Sequence, residues 1–117
     1  MPQLAELAYF TDNVSRMTAF YERLLGAPPV ARSDDMAIFM AGGTKVLIHK
    51  TFTAGPGDLP PENHVALSVP DVDAACQALE AQGLALEVAP QAYYWGKSAY
   101  LRDPDGHLLE LNEATGG

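Results

Sequence analysis

The chain has a single cysteine, Cys76, so no disulfide can form within it and the fold must hold by packing alone. Cys76 falls in a helical stretch and reads as a small buried hydrophobe rather than a reactive thiol. Long apolar runs are missing too. None approaches the ~20 residues needed to cross a bilayer, and Met1-Pro2-Gln3-Leu4 does not resemble a secretory leader. The expectation is a cytoplasmic protein with no membrane partner. Basic residues are scarce, seven Lys and Arg against fifteen Asp and Glu for a net charge of −8, and they form no cluster. Nucleic acid and anionic membrane both require a positive footprint, so neither is expected as a partner. A metal ion or a cationic ligand suits the balance better. With 48% hydrophobic and 19% charged residues, nothing points to disorder. The 117 residues make one domain's worth of chain, or two very small modules sharing one sheet. A chain of this size buries roughly two-thirds of its unfolded surface.

Hydropathy alternates with period two over Gln3 to Phe10, placing Ala5, Leu7 and Tyr9 on one side and Glu6, Ala8 and Phe10 on the other. Thr11-Asp12-Asn13 then offers capping side chains, and Val14, Met17, Tyr21 and Leu24 or Leu25 recur at helical spacing until Gly26 and Pro28-Pro29 stop the helix. Met36 to Ala41 and Lys45 to Thr51 form a hairpin across Gly42-Gly43. Residues 53–63, rich in Gly and Pro, are the one stretch with linker composition. They separate a first module, 1–52, from a second, 64–113. The pattern then returns: a strand from His64 to Val69, capping at Pro70-Asp71, a helix carrying Val72, Ala75 and Leu79 that ends at Gly83, a strand from Ala85 to Ala89, and a loop from Gln91 to Gly96. Glu6 and His64 are 58 residues apart, and so are Val14 and Val72. The economical reading is an α+β fold of two βαβββ modules whose curved mixed sheets enclose a trough, with one helix packed outside each.

The segment Ser98 to Asn112 forms the last hairpin, turning at Asp103-Pro104-Asp105-Gly106, where Pro104 fixes φ and Gly106 can take φ > 0. Leu109 and Leu111 then face the helix, and Leu108, Glu110 and Asn112 face the trough. A carboxylate in mid-strand on a covered face needs a hydrogen bond, a counter-charge or a cation. Arg102 and Lys97 are its candidate ion-pair partners within the hairpin. The trough-facing set also includes Phe10, Met36, Met40, His49, His64, Tyr100 and Arg102, apolar walls with few polar groups, as ligand sites have. Trp95, in the aromatic run Tyr93-Tyr94-Trp95, is expected at the trough mouth. Phe10, Met36, Met40, Trp95, Tyr100 and Arg102 are the candidate substrate-binding residues.

Three segments, Ala19-Phe20-Tyr21 through Leu25-Gly26, Asn63-His64-Val65-Ala66-Leu67-Ser68-Val69, and Asp103-Pro104-Asp105-Gly106-His107-Leu108-Leu109-Glu110-Leu111, make the chain resemble the vicinal oxygen chelate superfamily. That group includes glyoxalase I, extradiol dioxygenases, methylmalonyl-CoA epimerase, fosfomycin-resistance thiol transferases and bleomycin-binding proteins. The resemblance implies metal ligands at Glu6, Leu47, His64 and Glu110. Leucine cannot coordinate a metal, which leaves Glu6, His64 and Glu110. One imidazole and two carboxylates suit Mn²⁺, Fe²⁺, Ni²⁺ or Zn²⁺ and leave room for water and a substrate with adjacent oxygens. His49, two residues beyond Leu47 on the same face, is a candidate base or hydrogen-bond donor, or a substitute ligand if the Gly42-Gly43 turn shifts the register. Glu110 and His49 are the candidate catalytic residues.

The implied function is a glyoxalase- or dioxygenase-like small-molecule enzyme that uses a divalent metal to polarise its substrate. The alternative is a metal-free protein that sequesters a drug, as bleomycin-resistance proteins do, which Leu47 and the aromatic loop favour. A thiol transferase acting on fosfomycin is a third option, set back by the lack of a basic segment after Glu110. The resemblance also implies a homodimer with shared sites.

Overall fold

A computed structural model of the chain describes residues 2–113. The elements run β1 (Gln3–Thr11), α1 (Val14–Leu25), β2 (Ala31–Arg32), β3 (Met36–Ala41), β4 (Thr44–Lys50), β5 (His64–Val69), α2 (Val72–Ala81), β6 (Leu86–Tyr93), β7 (Gly96–Arg102) and β8 (Leu108–Glu113). The fold is α+β, and strand, helix and three strands occur twice in succession. In the first half the strand directly after the helix is the two-residue β2, too short to leave a periodic signature. It pairs antiparallel with β3 at Ala31↔Ile38.

The chain divides into two compact units, residues 6–63 and residues 64–113 together with 2–5, so that β1 contributes to both. In the first unit β4 pairs antiparallel with β3 and parallel with β1. Asn13 caps α1 by accepting a hydrogen bond from the Arg16 N–H at 3.0 Å, and Gly26, at φ 73°, ends it in the left-handed region that glycine alone adopts without steric cost. The helix lays Val14, Met17, Tyr21 and Leu25 on a core of Ala37, Phe39, Val46 and Ile48. Leu24, which has the same nominal spacing as Leu25, is 64% exposed, so the apolar stripe turns away from it.

In the second unit β8 lies between β5, to which it is parallel, and β7, to which it is antiparallel, and β6 pairs with β7. Asp71 caps α2 through the Ala74 N–H at 3.1 Å, and the Glu113 carboxylate accepts from the Val72 N–H at 3.2 Å. Val69, Val72, Cys76, Ala99, Leu101 and Leu111 form the core, with Ala75, Leu79 and Leu109 packed against it. The Cys76 thiol is buried, and burial above all, helped by the charges of Glu80 and Asp73, pushes its pKa up.

The last third departs from the sequence expectation in one place. The strand expected to end at Ala89 continues to Tyr93, and the expected loop from Gln91 to Gly96 contracts to a turn at Tyr94-Trp95. Pro90 signals a stop because it cannot donate to a ladder, but β6 pairs only with β7 among the described strands of its unit. Its register slips between Val88 and Gln91, which absorbs the missing donor. No helix among the described residues is long and apolar enough to cross a membrane.

Phe39→Ala should lower the unfolding free energy by about 3–5 kcal/mol, and Asp71→Ala by about 1 kcal/mol through loss of the cap, both measured by urea denaturation. Cys76 should react with a thiol reagent at the rate of unfolding, and much faster once denaturant is added. Prompt labelling of the native protein would refute its burial.

Candidate functional site

The register of β8 against its two neighbours decides what surrounds Glu110. Ala66 lies opposite Glu110 on the β5 side and Tyr100 opposite it on the β7 side, so His64 and Ser98, two residues away on those strands, are its diagonal neighbours on one face. The other face, carrying Ala99, Leu101 and Leu111, packs under α2. Glu110 is therefore buried, with 4% of its surface exposed, and needs partners that face offers.

It has two. His64 Nε2 lies 3.2 Å from Glu110 Oε1, and the Ser98 hydroxyl donates to Oε2 at 2.8 Å. The Ser98 oxygen in turn accepts from the Trp95 indole N–H at 2.9 Å. A hydroxyl has one proton to give and an indole only donates, so the chain has a single direction: Trp95 to Ser98 to Glu110. The His64 ring meets Tyr100 edge-on at 5.9 Å between centroids, and Tyr100 is buried. The Tyr93 ring stacks on Trp95 at 4.5 Å and an interplanar angle of 3°, while Tyr94 stands almost fully exposed. The Tyr93 hydroxyl is buried and finds no hydrogen-bond partner among the described residues. Burial first, and then the charge of Glu110, raises its pKa, so it stays a protonated donor.

Glu6 lies in β1. One ligand-capable atom from each of Glu6, His64 and Glu110 lies within 4.8 Å of the other two. The donor set suits a divalent transition metal. Bonds of about 2.0–2.2 Å at angles of about 90–110° place adjacent ligand atoms roughly 3–3.5 Å apart, and His64 Nε2 and Glu110 Oε1 stand at 3.2 Å.

The remaining sequence candidates occupy other surroundings. Phe10 sits against His49, with ring centroids 5.4 Å apart, and against Phe52. Met36 lies opposite His49 across the β3–β4 ladder, and Met40 is 42% exposed. His49 Nδ1 lies 2.7 Å from the Lys50 carbonyl oxygen. A carbonyl only accepts, so Nδ1 carries the proton and Nε2 is the basic nitrogen of the neutral ring. The ion pairs considered for Glu110 form elsewhere: Arg102 donates to Glu87 at 2.9 Å and to the Gly106 carbonyl, and Lys97 binds Asp73 on α2. His107 is exposed and pairs with Asp103. That carboxylate is held below its usual range chiefly by the His107 backbone N–H, and it also accepts from the Asp105 N–H.

Ser98 and Tyr93 are given no individual role by the sequence, which places Ser98 in the trough-facing set and Tyr93 in an aromatic run at the trough mouth. Alternation put Ser98 on the face of Glu110, but a lone serine in a strand has no other mark. Tyr93, expected in a loop, is the last residue of β6.

Comparison with known proteins bears on the whole chain. The family model of the Glyoxalase/Bleomycin resistance protein/Dioxygenase superfamily matches residues 3–111. A metallothiol transferase, FosB, from Shouchella clausii is 28% identical over 116 residues, covering 93% of this chain and 78% of its own length. Among solved structures, a hypothetical protein from Bacillus halodurans C-125 superposes with a TM-score of 0.82 at 16% identity, covering 99% of this chain and 96% of the other. Methylmalonyl-CoA epimerase from Mycobacterium tuberculosis gives 0.75 at 17% identity, covering 97% and 88%. These structural likenesses show a shared fold.

Glu110→Ala should cost about 1–3 kcal/mol of stability, because the Ser98 hydroxyl and the His64 ring lose a buried acceptor. Lys97→Ala should cost far less, since its ion pair with Asp73 is half exposed. Chemical denaturation of the two variants side by side measures the contrast.

Proposed function

The chain belongs to the glyoxalase/bleomycin resistance protein/dioxygenase superfamily, and from that premise we propose that it is a metal-dependent small-molecule enzyme in which Glu6, His64 and Glu110 hold one divalent cation. The observation that carries this reading is the convergence of one atom from each of the three side chains within 4.8 Å. Mn²⁺, Fe²⁺, Ni²⁺ and Zn²⁺ fit a set of one imidazole and two carboxylates. Such an ion supplies Lewis acidity, polarising a substrate with adjacent oxygens. The side chains around it do the rest. Glu110 is the candidate proton acceptor beside the substrate. Tyr93, protonated and without a hydrogen-bond partner among the described residues, is a hydrogen-bond donor for a substrate oxygen, and Trp95 and Tyr100 give the substrate apolar contact. His49 is the second candidate base, through Nε2. Arg102 and the apolar side chains Phe10, Met36 and Met40 are the remaining candidates for substrate contact.

The likeness to a metallothiol transferase over 93% of the chain favours a second reading, in which the same metal site orients the acceptor of a thiol. It needs the same three ligands and differs in requiring a thiol cosubstrate. We infer a homodimer as the working form in both readings.

Protein purified without chelator, or reloaded after dialysis against one, should bind about one equivalent of a transition metal, and saturating metal should raise its melting temperature. His64→Ala and Glu110→Ala should each reduce binding at least tenfold while the far-ultraviolet circular dichroism stays native. If the native protein takes up no metal yet binds aromatic drugs at micromolar concentration, sequestration replaces catalysis as its function.

A further inference from the structure

We propose that Ser98 is a positioning residue that turns Glu110 into a one-oxygen metal ligand and so makes the site select transition metals over Ca²⁺. The proposal rests on the metal-site reading above and adds to it a source of selectivity.

The argument starts from proton counting. Ser98 is fully buried, and its hydroxyl has one proton, which goes to Glu110 Oε2 at 2.8 Å. Trp95 Nε1–H, 2.9 Å away, occupies an acceptor position of the same oxygen. With a donor on one side, the hydroxyl cannot rotate its proton toward the indole without losing the carboxylate and bringing two donors face to face. The O–H direction is therefore locked, and with it the rotation of the carboxylate. Oε2 is engaged by Ser98, and Oε1 is the oxygen that faces His64 Nε2 at 3.2 Å. A cation between His64 and Glu110 then meets one carboxylate oxygen, not two. Ca²⁺ takes six to eight oxygens and commonly both from one carboxylate, whereas Zn²⁺, Mn²⁺, Fe²⁺ and Ni²⁺ are content with one. Partners of this kind, which hold a ligand rather than the metal, are worth about 10–100-fold in metal affinity.

The chain contains a single tryptophan, so its indole N–H gives one resonance and reads the relay directly. In metal-free protein, Glu110→Gln should shift that resonance, because the hydroxyl between the two groups changes acceptor, and Ser98→Ala should shift it further and speed its exchange with solvent. If Glu110→Gln leaves the indole resonance unchanged, no relay exists and the proposal fails, whether or not metal binds.

The second arm is titration of the wild type, Ser98→Ala and Ser98→Thr with Mn²⁺ and with Ca²⁺. Mn²⁺ affinity should fall at least tenfold in Ser98→Ala and recover in Ser98→Thr if the extra methyl is accommodated, and the preference for Mn²⁺ over Ca²⁺ should narrow. A general loss of packing would weaken both ions equally and leave their ratio unchanged, which overturns the proposal, as would a Mn²⁺ affinity within twofold of wild type in Ser98→Ala. Failure of the wild type to bind Mn²⁺ defeats the metal-site reading itself, and the indole arm distinguishes that outcome from loss of the relay.

Discussion

The burial of one carboxylate, Glu110, is the constraint around which the second unit is arranged. With 4% of its surface exposed, it lies in the strand flanked on both sides. A charge in that position is tolerated only if each oxygen is engaged. The two flanking strands supply one partner each, His64 from the parallel side and Ser98 from the antiparallel side. The cations nearest in sequence, Lys97 and Arg102, are drawn to Asp73 and Glu87 instead. Had either reached Glu110, it would have neutralised the carboxylate, leaving it little call for a metal.

Two kinds of aromatic residue surround this carboxylate. Tyr100 is packed edge-on against the His64 ring and buried. Trp95 and Tyr93 are stacked on one another at the end of the β6–β7 hairpin, one polar end satisfied by Ser98 and the other without a partner among the described residues. Burying a hydroxyl without a hydrogen bond carries a cost of about 1–3 kcal/mol. In the proposed function a substrate oxygen would complete that bond. The turn that was expected to be a loose loop is thus short and tied to the site through the Trp95 indole.

Much of this was legible in the amino-acid order alone. The strand from Met36 to Ala41 and that from His64 to Val69, the caps Asn13 and Asp71, and the turn at Asp103 to Gly106 all fell where alternation and capping chemistry put them. The 58-residue spacing between Glu6 and His64 and between Val14 and Val72 marks two similar halves. Two features escaped. A two-residue strand such as β2 carries no period, and Pro90, which cannot donate to a ladder, signals an end of strand although its one unpaired position is harmless where β6 pairs only with β7 among the described strands of its unit.

What the sequence determined by itself was the face on which each side chain lies, because a period of two or of 3.6 is a local property of the backbone. It thereby placed Glu110, His64, Ser98 and Tyr100 on one face and Ala99, Leu101 and Leu111 on the other. Only the tertiary structure decided which of those same-face residues touch. Contact depends on the register between strands far apart in the chain, such as Ala66 against Glu110, and on which of several nearby donors a buried carboxylate accepts. The choice of His64 and Ser98 over Lys97 and Arg102 is set by distance and direction across a sheet, and no local pattern encodes either.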